Sequence, residues 1–299
     1  MKFLRISRRR IFRLAAGLLV LLAAGLHGVG CLMLPKDDRL QGVARPFTLR
    51  TNGFSVRYHL AESGNAVRNL VFIHGTPANA GIWYEQFAPP FPRANLIAYD
   101  RPGFGLSRPM RHDPHLEEQV AALTNLLAAL PRHPTVLVGH SYGGPVALLA
   151  AVEHPELVAG VVLIGGSVDP AQEHPLLVQS LFHTRATSWL LPRWLRQCNR
   201  ELLTLKGDLL RLERELPQLR VPVVMLQGER DRQVPAANVA YLQSRLAALG
   251  RADLVTARVF PDYTHFIPWE HPDAVTQAVA LVLARLEEPA KSRPAAPPM

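Results

Sequence analysis

The pentapeptide Gly139-His140-Ser141-Tyr142-Gly143 constrains this chain more than any other feature. It follows the apolar run Thr135-Val136-Leu137-Val138 and precedes Pro145-Val146-Ala147-Leu148-Leu149-Ala150-Ala151. The first run reads as a buried strand and the second as a helix. A direct strand-to-helix turn brings the chain so close to itself that only glycine fits the flanking positions. The turn also lifts the central hydroxyl above the sheet edge, at a helix N-terminus whose N–H groups favour negative charge. G-x-S-x-G is a common string by itself. Here both flanks supply the context that gives it meaning.

The rest of the chain repeats the same alternation. Residues 48–60 alternate in polarity and predict an antiparallel strand pair at a sheet edge. The short runs at 70–73, 96–99, 135–138, 161–164, 223–226 and 257–260 read as strands, with 70–73 buried. Helical stretches are expected at 83–87, 116–130, 236–249 and 272–286. Strands alternating with helices predict an α/β fold: a mostly parallel central sheet with helices on both faces. Residues 166–220 break the rhythm. They hold Leu176, Leu177, Leu181, Phe182, Trp189, Leu190, Leu191, Trp194 and Leu195 with prolines between. So long a stretch is not a simple loop, and it reads as a small helical lid inserted after the sixth strand. The expected organisation is a basic stretch at 1–13, an apolar segment at 14–34, a polar linker at 35–46, one large domain at 47–288, and a Pro/Ala-rich tail at 289–299.

The formal net charge is +9, which at first suggests an anionic partner. Much of the excess is local, because Lys2, Arg5, Arg8, Arg9, Arg10 and Arg13 all precede the first apolar run. Membrane topology explains that cluster better than nucleic acid does, and no nucleic-acid partner is expected. Residues 14–34 are almost wholly apolar, about the 20 residues that a bilayer span requires. Basic residues ahead of the segment stay cytoplasmic, so the domain is expected on the far side, anchored by one N-terminal helix. Two alternatives are a cleaved signal peptide, with its apolar region at 14–26 and a small-residue site near Gly28 and Gly30, and a lipoprotein signal ending at Cys31. Ser7-Arg8-Arg9-Arg10 also resembles a twin-arginine export signal, against the plainer reading of a basic leader. Cys31 and Cys198 are the two cysteines. They give neither a disulfide framework nor a metal pair.

A serine nucleophile needs a base and an orienting acid. Downstream of Ser141, Asp231 lies in Gly228-Glu229-Arg230-Asp231-Arg232-Gln233-Val234-Pro235, just after the apolar run at 223–226. His265 follows the last strand in Asp262-Tyr263-Thr264-His265-Phe266. Both are loops at the carboxyl ends of strands, where open α/β sheets carry their sites. Glu229 and Asp169 are the rival acids. His74 reads as a structural hydrogen-bonding residue. Asp100 and Arg101 read as residues that pin their own loop.

On these residues the chain resembles the Ser-dependent α/β-hydrolase-fold proteins of the lid-bearing lipase/esterase kind. The likeness spans about residues 54–286. It rests on His74-Gly75-Thr76-Pro77, on Asp100-Arg101-Pro102-Gly103-Phe104-Gly105-Leu106-Ser107, on the Ser141 turn, on the Gly228–Pro235 stretch, and on His265 with Trp269-Glu270-His271-Pro272. The chain departs from the pattern at Thr264, where many relatives carry Gly. The resemblance implies Ser141 as nucleophile, His265 as base and Asp231 as acid. It also implies an oxyanion hole from the backbone N–H groups of Thr76 and Tyr142, with the Thr76 hydroxyl as an optional third donor. His140, Trp83, Phe182, Trp189 and Phe266 are the residues expected to line a substrate pocket. The expected substrate is a small-molecule carboxylic ester, apolar or lipid-like, with no cofactor and no metal. Thioester, amide or C–C cleavage and acyl transfer use the same chemistry. A non-catalytic membrane-anchored binding module is the alternative from another class. Arg185, Arg193, Arg196 and Arg200 make the lid basic. They read either as a solvated helix face or as an attraction for anionic substrate or lipid headgroups.

Overall fold

The structure is a computed structural model that describes residues 37–287, except 52, 88–90, 110–112 and 185, and also Gly25. The expected basic leader, most of the apolar segment at 14–34 and the C-terminal tail lie outside the described residues. Among the described residues no helix is long and apolar enough to cross a membrane.

Eight strands form one sheet: β1 (Arg45–Arg50), β2 (Ser55–Ala61), β3 (Arg68–Ile73), β4 (Ala94–Tyr99), β5 (Thr135–His140), β6 (Gly160–Ile164), β7 (Val223–Gly228) and β8 (Val255–Phe260). Their order is β1-β2-β4-β3-β5-β6-β7-β8. The β1–β2 and β2–β4 pairs are antiparallel, and all the others are parallel. The helices are α1 (Tyr84–Phe87), α2 (Leu116–Ala129), α3 (Gly143–Glu153), α4 (Leu177–Leu181), α5 (Arg193–Glu215), α6 (Ala237–Ala248), α7 (Ile267–Glu270) and α8 (Pro272–Glu287).

Side chains alternate across each strand, so the continuous apolar runs feed two cores. Val71 and Ile73 of β3, with Val223 and Met225 of β7, pack against apolar residues of α2, α3, α5 and α6. Leu70 and Phe72, with Val224 and Leu226, pack on the other face against α1, α7 and α8. Parallel strands covered on both sides put every β-to-α turn at one sheet edge, and those turns carry the site.

Two local features differ from the sequence reading. Residues 37–42 form a 3-10 helix rather than an open linker. Its Leu40 is fully buried in the second core, and a single apolar side chain in a polar stretch gives no periodic signal. β1 begins at Arg45 and is largely exposed, as an edge strand carrying Pro46 can be. Between β6 and β7 the regular structure is all helical. In α5 the buried stripe changes character along its length: Gln197, Cys198 and Glu201 near the N-terminus, then Leu205, Leu209 and Leu212.

Candidate active site

Ser141 directly follows β5 in a left-handed backbone conformation, φ 55°. A non-glycine residue held there stores about 1–3 kcal/mol of strain. Packing maintains it: the Ser141 N–H donates to Ile164 O at 3.0 Å, and Gly144 N–H donates to Ser141 O at 2.9 Å. The flanking glycines answer to crowding. A Cβ on Gly139 would lie 2.2 Å from Gly143 O, and one on Gly143 would lie 2.3 Å from Ile73 O. The sequence spacing therefore records where β5, α3 and β3 meet.

His265 and Asp231 reach the same edge from the loops after β8 and β7. His265 Nδ1 donates to Asp231 Oδ2 at 2.7 Å, with both residues buried. That bond leaves Nε2 as the imidazole lone pair. Asp231 Oδ1 accepts from the Gln233 and Val234 N–H groups at 2.9 and 2.8 Å, and Gln227 Nε2 approaches Oδ2 at 3.3 Å. Burial alone would raise the Asp231 pKa. The His265 hydrogen bond and charge, with the two amides, outweigh burial and hold it below the ordinary carboxylate value. The pair lies beside the Ser141 turn, since His140 Nε2 donates to His265 O at 2.9 Å. Asp169, the rival acid, is engaged elsewhere: its Oδ1 accepts from Ala171 N–H at 2.8 Å. Glu229 is exposed.

The His74–Pro77 loop passes directly over the serine. A Cβ on Gly75 would lie 2.7 Å from Ser141 Cβ and 3.3 Å from Ser141 Oγ. Little there can yield, because the nearest neighbours are the Ser141 Cβ, fixed to the strained backbone, and the His140 carbonyl oxygen. Gly75→Ala should therefore push the loop off the serine and lower kcat by about 100-fold, the scale of losing one oxyanion donor. Steady-state kinetics check this, and a variant within threefold of wild type would contradict it.

The orientation of this loop is over-determined. His74 Nδ1 donates to Gly75 O at 2.7 Å, and His74 Nε2 accepts from Arg101 N–H at 2.9 Å. Burial first, and the Arg101 charge second, keep His74 neutral, well below the usual histidine range. Arg101 Nε donates to His74 O at 2.9 Å, and Nη2 donates to Gly75 O at 3.1 Å. In a trans peptide the C=O and the following N–H point in opposite directions. Fixing the Gly75 carbonyl toward Arg101 and His74 therefore turns the Thr76 N–H the other way. Among the described residues, the Thr76 and Tyr142 amides donate no hydrogen bond within the protein.

Arg101 is fully buried between Phe104 and Tyr142, whose ring centroids lie 4.8 and 4.6 Å from its guanidinium carbon. Its counter-charge is Glu201 on α5, paired at 2.9 and 3.2 Å. Burial alone would lower the arginine pKa, and Glu201 more than reverses this. Burial raises the Glu201 pKa, against the pull of Arg101. The Thr76 hydroxyl lies against Glu201 and Cys198 without a hydrogen bond of good geometry. Sequence reasoning missed Glu201 and Gln227. Glu201 sits in Arg200-Glu201-Leu202-Leu203, which reads as the charged side of a surface helix, and Gln227 sits at the end of an apolar strand.

The five expected pocket residues divide. Trp83 and His140 lie in the core beneath the site: Trp83 is fully buried and packs on Phe72 and edge-on to His140. Phe182 and Trp189 line a cavity beside α5. Phe266 is 47% exposed, edge-on to His265. Thr264, where the chain departs from the pattern, donates from Oγ1 to Glu270 Oε2 at 2.6 Å and so closes its own loop.

His140 carries a consequence for stability. Burial, reinforced by the neighbouring His265, pushes its pKa down to about 3. Unfolded histidine titrates near 6.5, so below about that pH the unfolded chain binds a proton that the folded chain refuses. The stability tied to His140 is complete above about pH 6.5. It declines as pH falls from there toward 3, by about 1 kcal/mol per pH unit. In urea melts between about pH 7 and 5, His140→Gln should lose stability less steeply than wild type, by about one proton. Equal slopes would contradict this.

A family model for the alpha/beta hydrolase fold matches residues 68–207. An uncharacterized hydrolase of Bacillus subtilis, YugF, is 26% identical over 79% of this chain and 96% of its own length. A 2-hydroxy-6-oxononadienedioate/2-hydroxy-6-oxononatrienedioate hydrolase of a Pseudomonas species is 25% identical, over 76% of this chain and 92% of its own length. Among solved structures, a bacterial membrane phospholipase A superposes with a TM-score of 0.64 at 22% identity, covering 93% of this chain and 97% of its own. The sheet order and these matches give the chain an α/β-hydrolase fold, shared with known hydrolases.

Proposed function

We propose that the chain is a serine hydrolase that cleaves a carboxylic ester through an acyl-enzyme. The buried 2.7 Å His265–Asp231 hydrogen bond beside the strained Ser141 turn carries this reading. His265 Nε2 takes the Ser141 proton as Oγ attacks the carbonyl carbon. The resulting oxyanion is held by the Thr76 and Tyr142 amides, each worth about 3 kcal/mol. The C–O bond then breaks, and the leaving alcohol takes the proton from His265. Water attacks the acyl-enzyme by the same route and releases the carboxylic acid. Asp231 holds the imidazole tautomer and stabilises its cation.

The helical segment between β6 and β7 is assigned as a lid over this site, and its apolar side chains suit an apolar acyl group. Residues 14–34 support a membrane tether on sequence grounds alone, with export or lipidation at Cys31 as the alternatives. The same oxyanion chemistry serves thioesters, amides and C–C bonds, and the Pseudomonas relative, named for a hydroxy-oxo dienedioate, keeps those substrates in the panel. The test is turnover of p-nitrophenyl esters from short to long acyl chains, beside matched thioesters and amides. Ester turnover rising with chain length supports the reading. Preference for another bond class reassigns the substrate, and silence toward the whole panel contradicts hydrolysis of activated acyl compounds.

A further inference from the structure

A cavity of about 820 Å³ opens beside the N-terminal half of α5. Its lining includes Arg193, Arg196 and Arg200 together with Phe182 and Trp189. The arginines are spaced three and four apart, so they share one helix face and repel one another. Among the described residues, no carboxylate lines the cavity. Among the described residues, no acidic side chain pairs with Arg193 or Arg196, and Arg196 Nε is buried without a hydrogen-bond partner. Arg200 Nη1 donates to Gln197 Oε1 at 3.2 Å. Repulsion and an unmet buried donor are costs that an anion in the cavity would remove.

Two contacts link the cavity lining to residues beside the candidate active site. Gln197 in its lining hydrogen-bonds Glu201, which lies against Thr76. Pro114, also in the lining, accepts through its carbonyl from Tyr142 Oη at 3.0 Å. Trp189 in the lining is 57% exposed, and Leu177 on the same helical segment is 93% exposed. Cationic and aromatic side chains in one lining match a ligand with one anionic group on an apolar chain.

We infer that this cavity binds the anionic group of an amphiphilic substrate, a phosphate or carboxylate carried on an apolar chain, through Arg193 and Arg196. The substrate assignment rests on the acyl-enzyme reading above; the binding site itself does not. The test uses the full chain in a neutral detergent. Calorimetry with hexyl phosphate, inorganic phosphate and hexanol as probes should show one hexyl phosphate site, tighter than either fragment. The Arg193→Gln/Arg196→Gln variant should weaken it about tenfold or more, and Arg193→Lys/Arg196→Lys should weaken it less. Arg193→Gln alone, at an exposed position, should already weaken it severalfold and guards against misfolding of the double variant. No hexyl phosphate binding, or equal binding by all variants, overturns the inference. This arm needs no turnover, so it can fail or succeed independently of the acyl-enzyme.

The second arm is kinetic. The ratio of kcat/KM for the anionic mono-p-nitrophenyl ester of glutaric acid to that for p-nitrophenyl butyrate should fall about tenfold in the Gln variant. The same comparison of phosphatidylglycerol with phosphatidylcholine in mixed micelles separates the sources. A phosphatidylglycerol preference lost in the variant identifies a lipid headgroup, and a preference confined to the glutarate ester identifies a soluble acid. No anionic preference in either pair overturns the substrate assignment.

Discussion

Ser141→Ala should lower kcat toward an activated ester by about 10⁴-fold or more, and His265→Ala should cost nearly as much. The two losses should not add. Once the hydroxyl is gone the imidazole has no proton to take, and once the imidazole is gone the hydroxyl stays protonated. The double variant should therefore lie within about tenfold of either single variant, retaining the residual rate supplied by oxyanion donors and binding. Asp231→Asn should be milder than either, because Asp231 acts only through His265, whose Nδ1 it holds at 2.7 Å. Steady-state kinetics on wild type and the four variants check this. Additive losses, or a Ser141→Ala variant that keeps activity, would mean that the residues do not form one catalytic unit.

The second large effect concerns Glu201. Glu201→Gln leaves the Arg101 guanidinium fully buried without its counter-charge. Removing one partner of such a pair costs about 3–5 kcal/mol, which lowers the melting temperature on the order of 10 °C. Activity should fall too, because Arg101 also holds Gly75 O at 3.1 Å and through it the Thr76 peptide. Replacing both partners by apolar residues of similar volume, Arg101→Met with Glu201→Leu, should restore much of the stability. It should not restore kcat, because the Gly75 carbonyl then keeps only its His74 donor. Thermal melts and kcat read together separate the two roles. Recovery of both in the double variant would show that the pair serves folding alone.

What was legible in the sequence follows from how locally each feature is encoded. The Ser141 turn announces itself because its strand, glycines and helix are contiguous, and the glycines register backbone crowding that no other residue tolerates. Most of the parallel strands carry a short apolar run bounded by turns, so they could be read one after another along the chain; their order in the sheet, with β4 between β2 and β3, could not, because pairing is set by tertiary contact. Asp231 and His265 were legible because each directly follows a strand, at the edge where such sheets collect their loops. Leu40 was not, being one apolar side chain that packs only through tertiary contact. Trp83 reads equally well as pocket or core, and only its packing on Phe72 separates the two. Glu201 was the least legible residue, because its partner Arg101 lies 100 positions away. A charged residue in a helix looks solvated until the fold brings its counter-ion to it.

An activated Ser141 nucleophile should react with a phosphonylating probe. The most direct test is covalent labelling of the full chain with a fluorophosphonate, followed by mass mapping of the modified peptide. The account predicts one label per chain, on Ser141, formed much more slowly in His265→Ala. A label on another residue, no label, or an unchanged rate without His265 would contradict it.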